Sequence, residues 1–210
     1  MTKKRTNIGK QKQPEHQWED LLQNEFAKES DRACVILGAA LLDSAIETVL
    51  KARLVPSPSA SDSLFESPSA PLSSFSARID FAHRIGLISA RFARDLHLIR
   101  RIRNDFAHNV AGCSFGDSSV MGRVLELSRS HGLFKGPGGI RDSFPKGVRG
   151  EFQAAVSWMQ WYLRRLIQDI DAIADPESEW GYDAFSADPP VGQDKTHTPS
   201  EGEDIPRLKP

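Results

Sequence analysis

The sequence predicts an all-α protein, a compact bundle of about five to seven helices with disordered N- and C-terminal tails. Between residues 15 and 173 the apolar residues recur every three or four positions, which is the spacing of one helix face. No stretch of useful length alternates apolar and polar residues as a half-buried strand does. A chain of 210 residues with 39% apolar content can bury one good core, so we predict a single domain over residues 15–173.

Charge distinguishes both ends of the chain from this domain. Residues 1–14 carry five basic residues and no acid, whereas residues 174–210 carry nine acids, three basic residues and six prolines. The remaining 19 basic and 19 acidic residues leave residues 15–173 neutral. Segments this rich in charge and proline bury too little apolar surface to offset their ordering entropy. We therefore predict a disordered basic leader over 1–14 and a disordered acidic tail over 174–210.

The first helices follow from a cap and from apolar stripes. A short helix is predicted from Trp18 to about Ala27, and a longer one after Ser30, whose hydroxyl can cap it. The longer helix is apolar on two sides, which is typical of a central helix. Its stripes are Ile36, Ala39, Ala40, Leu50 and Leu54, and Cys34, Leu41, Leu42, Ala45 and Val49. The stretch 55–74, with four prolines and eight serines, predicts a loop within the domain.

Three further segments complete the helical prediction. FSARIDFAHRIGL predicts a helix that ends at Gly86, and Ser89 can cap another that runs from about Ala90 through His108. Residues 111–147 are predicted to be irregular around one short helix near 120–128. The last long helix is predicted over roughly 149–173 from the period of its apolar residues.

Composition argues against several classes of function. The neutral domain gives no signal for nucleic acid, and no window approaches the roughly 18 uninterrupted apolar residues of a membrane span. The first 25 residues lack the apolar run and cleavage site of a secretory signal, so we expect a cytoplasmic protein. Cys34 and Cys113 form neither a disulfide framework nor a four-ligand zinc site. We expect two reduced thiols, no metal and no cofactor.

Arg103 is the residue whose predicted position raises a question of function. It falls in the middle of the apolar face of the helix over 90–108, where a guanidinium is costly unless a carboxylate meets it. Asp43 and Glu47 interrupt an apolar stripe of the central helix, so we predict a buried polar network of these two acids with Arg103. Asp80 is the spare candidate partner. The network is either a structural ion pair that fixes helix register or part of an active site.

His108 follows Arg103 by five positions, which is about 140° around and about 7.5 Å along an ideal helix. Both side chains can reach one ligand only if the helix ends at His108 or a second subunit contributes. A histidine near a helix C-terminus more often interacts with the last carbonyls than catalyses a reaction.

The stretch RNDFAH, residues 103–108, fits the pattern R-N-x-x-x-H and so resembles the HEPN superfamily. These are all-α proteins, many of which are metal-independent ribonucleases while others are binding modules. The resemblance implies that Arg103, Asn104 and His108 form the candidate catalytic set. Arg103 would contact phosphate, and His108 would help the ribose 2′-OH to attack, with paired sites at a dimer interface.

A second resemblance covers about residues 29–128. ESDRACVILGAALLDSAIETVLKARL, APLSSFSARIDFAHRIGLIS and RDLHLIRRIRNDFAH look like successive blocks of the mannitol operon repressor (MltR or MtlR) family. It implies a non-enzymatic transcriptional regulator, and the ribonuclease is the alternative. Because there is no helix-turn-helix signature and no basic recognition helix, we do not expect direct DNA binding. We expect a protein partner instead, and RNA only in the alternative.

Two tryptophans of the last helix suggest a homodimer. In AAVSWMQWYLRR, Trp158 and Trp161 are predicted to project away from the stripe that faces the core. Two exposed indoles on one face are more apolar area than a monomer usually leaves open, so they are candidate dimer-interface residues. The aromatic segment EWGYDAF of the acidic tail is the alternative cover for them.

Overall fold

The protein is described by a computed structural model, which defines residues 24, 26, 28–109, 112–130 and 144–175. Within these ranges it has five α-helices and no strand, which confirms the all-α prediction. The helices are α1 (Asp31–Arg53), α2 (Phe75–Arg84), α3 (Ala90–His108), α4 (Ser118–Ser130) and α5 (Val148–Asp169). Contacts divide the chain into two units, Met1–Ile173 and Ala174–Pro210, and all five helices belong to the first.

Several predicted features lie outside the described residues. They are the basic leader, nearly all of the acidic tail with its EWGYDAF segment, and most of the short helix from Trp18 to Ala27. Phe26, from the end of that short helix, is described, and its side chain is fully buried.

The helix starts follow the predicted caps. The Ser30 hydroxyl accepts a hydrogen bond from the Ala33 amide at 3.2 Å, and the Ser89 hydroxyl accepts one from the Phe92 amide at 3.2 Å. Each bond satisfies one of the amides that a helix start leaves without an internal partner. Helix α3 begins one residue after Ser89 and ends at His108, as the sequence predicts.

A glycine turn joins α2 to α3. Gly86 has φ of +77°, a left-handed conformation that side chains with a Cβ adopt only with strain. Its amide donates to the His83 carbonyl at 3.0 Å, and the next amide, of Leu87, donates to the Ala82 carbonyl at 2.9 Å. The short connection makes α2 and α3 neighbours in the bundle, and a cleft lies between them.

Helix α1 is the centre of the bundle and packs against α2, α3 and α5. By length and composition it is apolar enough to cross a membrane, and half of its apolar window is buried inside the protein. Gly38 allows α5 to approach closely, because a Cβ at this position would lie 3.3 Å from both Phe152 and Val156 side-chain atoms. The two-sided apolar pattern thus reflects packing on several sides, although Ile36 remains 38% exposed.

The Ser- and Pro-rich loop over 55–74 packs against the domain, although it contains no helix. Its Phe65, Ala70 and Leu72 side chains are buried. The ammonium of Lys51 lies 5.0 Å from the centroid of the Phe65 ring, and the Leu72 amide donates to the Leu64 carbonyl at 2.9 Å. Apolar anchors within the loop therefore keep it on the surface of α1 and α2.

Candidate functional site

The two acids of the central helix bind Arg78 of α2. Arg78 Nη1 lies 2.7 Å from Asp43 Oδ1, and Arg78 Nη2 lies 2.8 Å from Glu47 Oε2. Arg78 Nε also donates to the Leu72 carbonyl at 2.8 Å, so the guanidinium joins α1, α2 and the loop before α2. The arginine side chain is only 11% exposed.

This arrangement corrects the predicted network of Asp43, Glu47 and Arg103. The acids do form a partly buried polar contact, but its cation is Arg78, because α2 packs along the side of α1 that carries them. Arg103 is partly buried on α3, and its Nη1 donates to Asn104 Oδ1 at 3.0 Å. The spare candidate, Asp80, contacts His97 with 3.0 Å between Oδ1 and Nε2.

The residues of the R-N-x-x-x-H pattern occupy the last two turns of α3. Arg103 and Asn104 bond to each other, while His108 is exposed at the last helical residue. Among the described hydrogen bonds and ion pairs, none joins His108 to Arg103 or Asn104. The pattern therefore places one guanidinium and one imidazole near the same helix end without assembling them into a bonded pair.

The C-terminus of α3 receives a cation from α1. Arg32 Nη2 donates to the carbonyl of Asn109, the cap residue, at 2.7 Å. A cation at this position is favoured by the negative end of the helix dipole. The sequence suggested that His108 interacts with the last carbonyls of this helix. In the structure the Arg32 guanidinium from α1 binds the Asn109 carbonyl there.

A cleft with a mostly basic lining lies between α2 and α3, and its volume is about 430 Å³. Its ionisable lining residues are His83, Arg84, Arg94, His97, Arg101 and Asp80. The contact between His97 and Asp80 bridges the two helices inside this cleft. The sequence did not predict this cleft, because its lining comes from two helices whose packing the helical phase of each does not show.

Asp95 is a buried charge that sequence reasoning missed. It is 1% exposed, and its Oδ1 accepts hydrogen bonds from Arg94 Nη2 at 2.9 Å and from the Ser130 hydroxyl at 3.0 Å. The contact joins α3 to the end of α4. Phe92 lies three positions before Asp95, and Leu98 and Ile99 lie three and four positions after it, so the helical phase was the available signal of burial.

The two tryptophans of α5 differ in their surroundings. Trp158 is partly buried, with ring centroids 5.9 Å from Phe92 and 5.7 Å from Tyr162. The sequence predicted that Trp158 projects away from the core, and this prediction is wrong. Trp158 packs against the first turn of α3. Trp161 does project outward, with 47% of its surface exposed.

The described residues contain no group of three or more His, Cys, Asp or Glu side chains that could hold a metal ion. Both cysteines are free. Burial raises the pKa of the Cys34 thiol above its ordinary value, against an opposing hydrogen bond from Gln153. Desolvation also raises the pKa of Cys113, and a hydrogen bond with Asp117 adds to this effect. Neither thiol is activated as a nucleophile.

Comparison with known proteins gives one distant likeness. No protein-family model matches the chain, and no curated protein matches it. A chain of the crystal structure described as the MtlR-HPr complex from Escherichia coli aligns with a TM-score of 0.45 and 18% identity, over 72% of this chain and 97% of that chain.

Proposed function

We propose that this protein is a non-enzymatic regulator, of the kind implied by its resemblance to mannitol operon repressors, and that it acts mainly through contacts with another protein. We further propose that it works in the cytoplasm as a homodimer. The main observation in support is that polar side chains of the R-N-x-x-x-H segment already have partners within the protein. Arg103 donates to Asn104, and Asp105, which lies between the motif residues, pairs with Arg123 of α4.

These contacts support structural roles for the polar groups of the motif. A partly buried arginine needs an acceptor, and the neighbouring amide oxygen of Asn104 provides one. The pair between Asp105 and Arg123 ties α3 to α4. A ribonuclease with the same motif would need the Arg103 guanidinium directed at a substrate phosphate instead.

The decisive experiment replaces His108, the exposed member of the motif. Deletion of the gene is expected to change the transcript levels of a restricted set of genes, and both the wild-type chain and His108→Ala are expected to restore them. Because His108 makes no described contact that supports the fold, the variant should remain folded. Failure of a folded His108→Ala protein to restore the transcripts would contradict a non-enzymatic role.

The alternative function is a metal-independent endoribonuclease with Arg103 and His108 as its working residues. It is favoured by the end of α3 at His108, which leaves the imidazole exposed within two turns of Arg103. A histidine can move the proton of a ribose 2′-OH, and an arginine can stabilise the phosphate in the transition state.

This alternative is tested with purified protein and mixed single-stranded RNA in EDTA, beside His108→Ala. The regulatory proposal expects intact RNA in both samples. Cleavage that leaves 2′,3′-cyclic phosphate ends and is lost in the variant would establish the ribonuclease and overturn the regulatory proposal.

A further inference from the structure

The α2–α3 cleft combines positive charges from two helices. Arg84 comes from the last turn of α2, and Arg94 and Arg101 come from one face of α3, two turns apart. The lining also contains one carboxylate, Asp80, and Arg94 pairs with two further acids, Asp95 and Glu126. The positive charge that remains for a ligand therefore comes from Arg84 and Arg101.

The three guanidinium groups differ in whether a side chain of the protein already binds them. Arg94 is held by the buried Asp95, with its Nε and Nη2 at 3.2 and 2.9 Å from the same carboxylate oxygen. Arg84 and Arg101 are exposed, and neither has an ion-pair or hydrogen-bond partner for its side chain among the described residues. Two guanidinium forks are thus available to a ligand at one cleft.

Two small residues of α3 also line the cleft. Ala90, the first residue of α3, lines it together with Ala93. Methyl side chains at both positions leave space for a ligand beside the arginines.

We propose that this cleft is a binding site for a small molecule that carries a phosphate group. Arg84 and Arg101 bind the phosphate oxygens through their planar forks. This ligand goes beyond the proposed function, which involves protein contacts alone. It makes the cleft a site through which a metabolite controls the regulator.

The same residues argue for a small ligand over an extended polyanion. Asp80 lies in the cleft with 66% of its side chain exposed, and it would repel a phosphate chain that continued past the arginines. A cleft of about 430 Å³ also matches the usual volume of a small-molecule site. The carboxylate is a suitable acceptor for a hydroxyl or amine elsewhere on the ligand.

The test titrates the full chain with inorganic phosphate at constant ionic strength while backbone amide resonances are followed by nuclear magnetic resonance. We expect saturable shifts that centre on residues 80–84 and 94–101, and none with chloride at the same ionic strength. A double variant, Arg84→Gln with Arg101→Gln, is expected to weaken the apparent affinity by about ten-fold or more, because two charge-assisted contacts are lost.

Arg91→Gln is the matched control, since Arg91 is an exposed arginine of α3 that does not line the cleft. It should keep the wild-type affinity within about two-fold. Unsaturable shifts, shifts centred elsewhere, or equal affinity in the double variant would each overturn the site.

Short single-stranded RNA and a phosphoserine peptide form separate arms of the same titration. Tighter binding of either, with shifts that extend beyond the cleft, would assign the charges to a macromolecule and overturn the small-molecule proposal. The transcript experiment with His108→Ala does not involve the cleft, so the two proposals fail independently.

Discussion

Arg78 Nη1 donates to Asp43 Oδ1 across 2.7 Å, and this bond joins α2 to the central helix at a point where the arginine is almost buried. The same guanidinium reaches Glu47 at 2.8 Å and the Leu72 carbonyl at 2.8 Å. One side chain therefore satisfies two acids and a loop carbonyl. Its removal takes this partner from Asp43 and from the Leu72 carbonyl, while Glu47 keeps its ion pair with Lys51 at 2.8 Å.

Arg78→Ala is accordingly expected to lower the free energy of unfolding by about 2–4 kcal/mol, less than for a fully buried pair because the acids are partly exposed. Arg78→Lys should recover only a fraction, because one ammonium cannot reproduce the fork and the third bond. Urea unfolding followed by circular dichroism measures both. Arg91→Ala, at an exposed arginine, is the control and should change stability by less than about 0.5 kcal/mol. Equal stability of Arg78→Ala and the control would refute this role.

Two helical glycines should respond oppositely to substitution. At Gly38 a larger side chain meets Phe152 and Val156, which a Cβ alone would approach at 3.3 Å. Gly38→Leu is expected to destabilise the protein by about 3 kcal/mol or more, because it separates α1 from α5. At Gly122 of α4 a Cβ would have no neighbour within 4 Å, so Gly122→Ala should add about 0.5–1 kcal/mol through helix propensity. Thermal melting tests both, and a lower melting temperature for Gly122→Ala would contradict the prediction.

The two thiols should differ in their rate of alkylation. Cys34 is fully buried with a raised pKa, so iodoacetamide at pH 8 should not modify it in the folded protein. Cys113 is partly exposed and should react, but more slowly than a free thiol because its pKa is also raised. Mass spectrometry of timed samples measures both rates. Both thiols should react rapidly in urea, and modification of Cys34 before Cys113 under native conditions would be incompatible with the structure.

The raised pKa of Cys34 also predicts a pH dependence of stability. The folded state keeps the thiol proton to a higher pH than the unfolded chain does, so this contribution is complete below the ordinary value of 9.0 and is lost as the pH rises above it. Urea unfolding from pH 8 to pH 10 should show a decline that is smaller in Cys34→Ala. An identical decline in both proteins would show that Cys34 does not contribute to it.

Trp161 remains a candidate residue for the proposed homodimer interface. An indole with 47% exposure on the outer side of α5 is typical of an interface anchor. Wild-type protein at tens of micromolar is expected to sediment as a dimer, and Trp161→Glu to weaken the dimer by about thirty-fold, or about 2 kcal/mol. Leu125→Glu is the control, since Leu125 is 43% exposed on α4. Sedimentation of the wild type as a monomer would exclude the dimer.

Local chemistry allowed the sequence alone to determine the helices. Ser30 and Ser89 mark helix starts because their hydroxyls satisfy first-turn amides, and Gly86 marks a helix end because it adopts positive φ without strain. These preferences involve only a few neighbouring residues, so they can be read without knowledge of the rest of the chain. The apolar period then predicted that α1 is a central helix, and α1 does pack against three other helices, α2, α3 and α5.

Which helix faces which was decided only by the tertiary structure. Helical phase showed that Asp43 and Glu47 share one side of α1, but it contained no information on whether α2 or α3 lies against that side. The acids therefore pair with Arg78 instead of Arg103, and Trp158 packs on Phe92 instead of facing outward. Helical phase is a property of one helix, whereas the partner of a side chain depends on how two helices pack. That packing is selected by the apolar surface that the complete bundle buries.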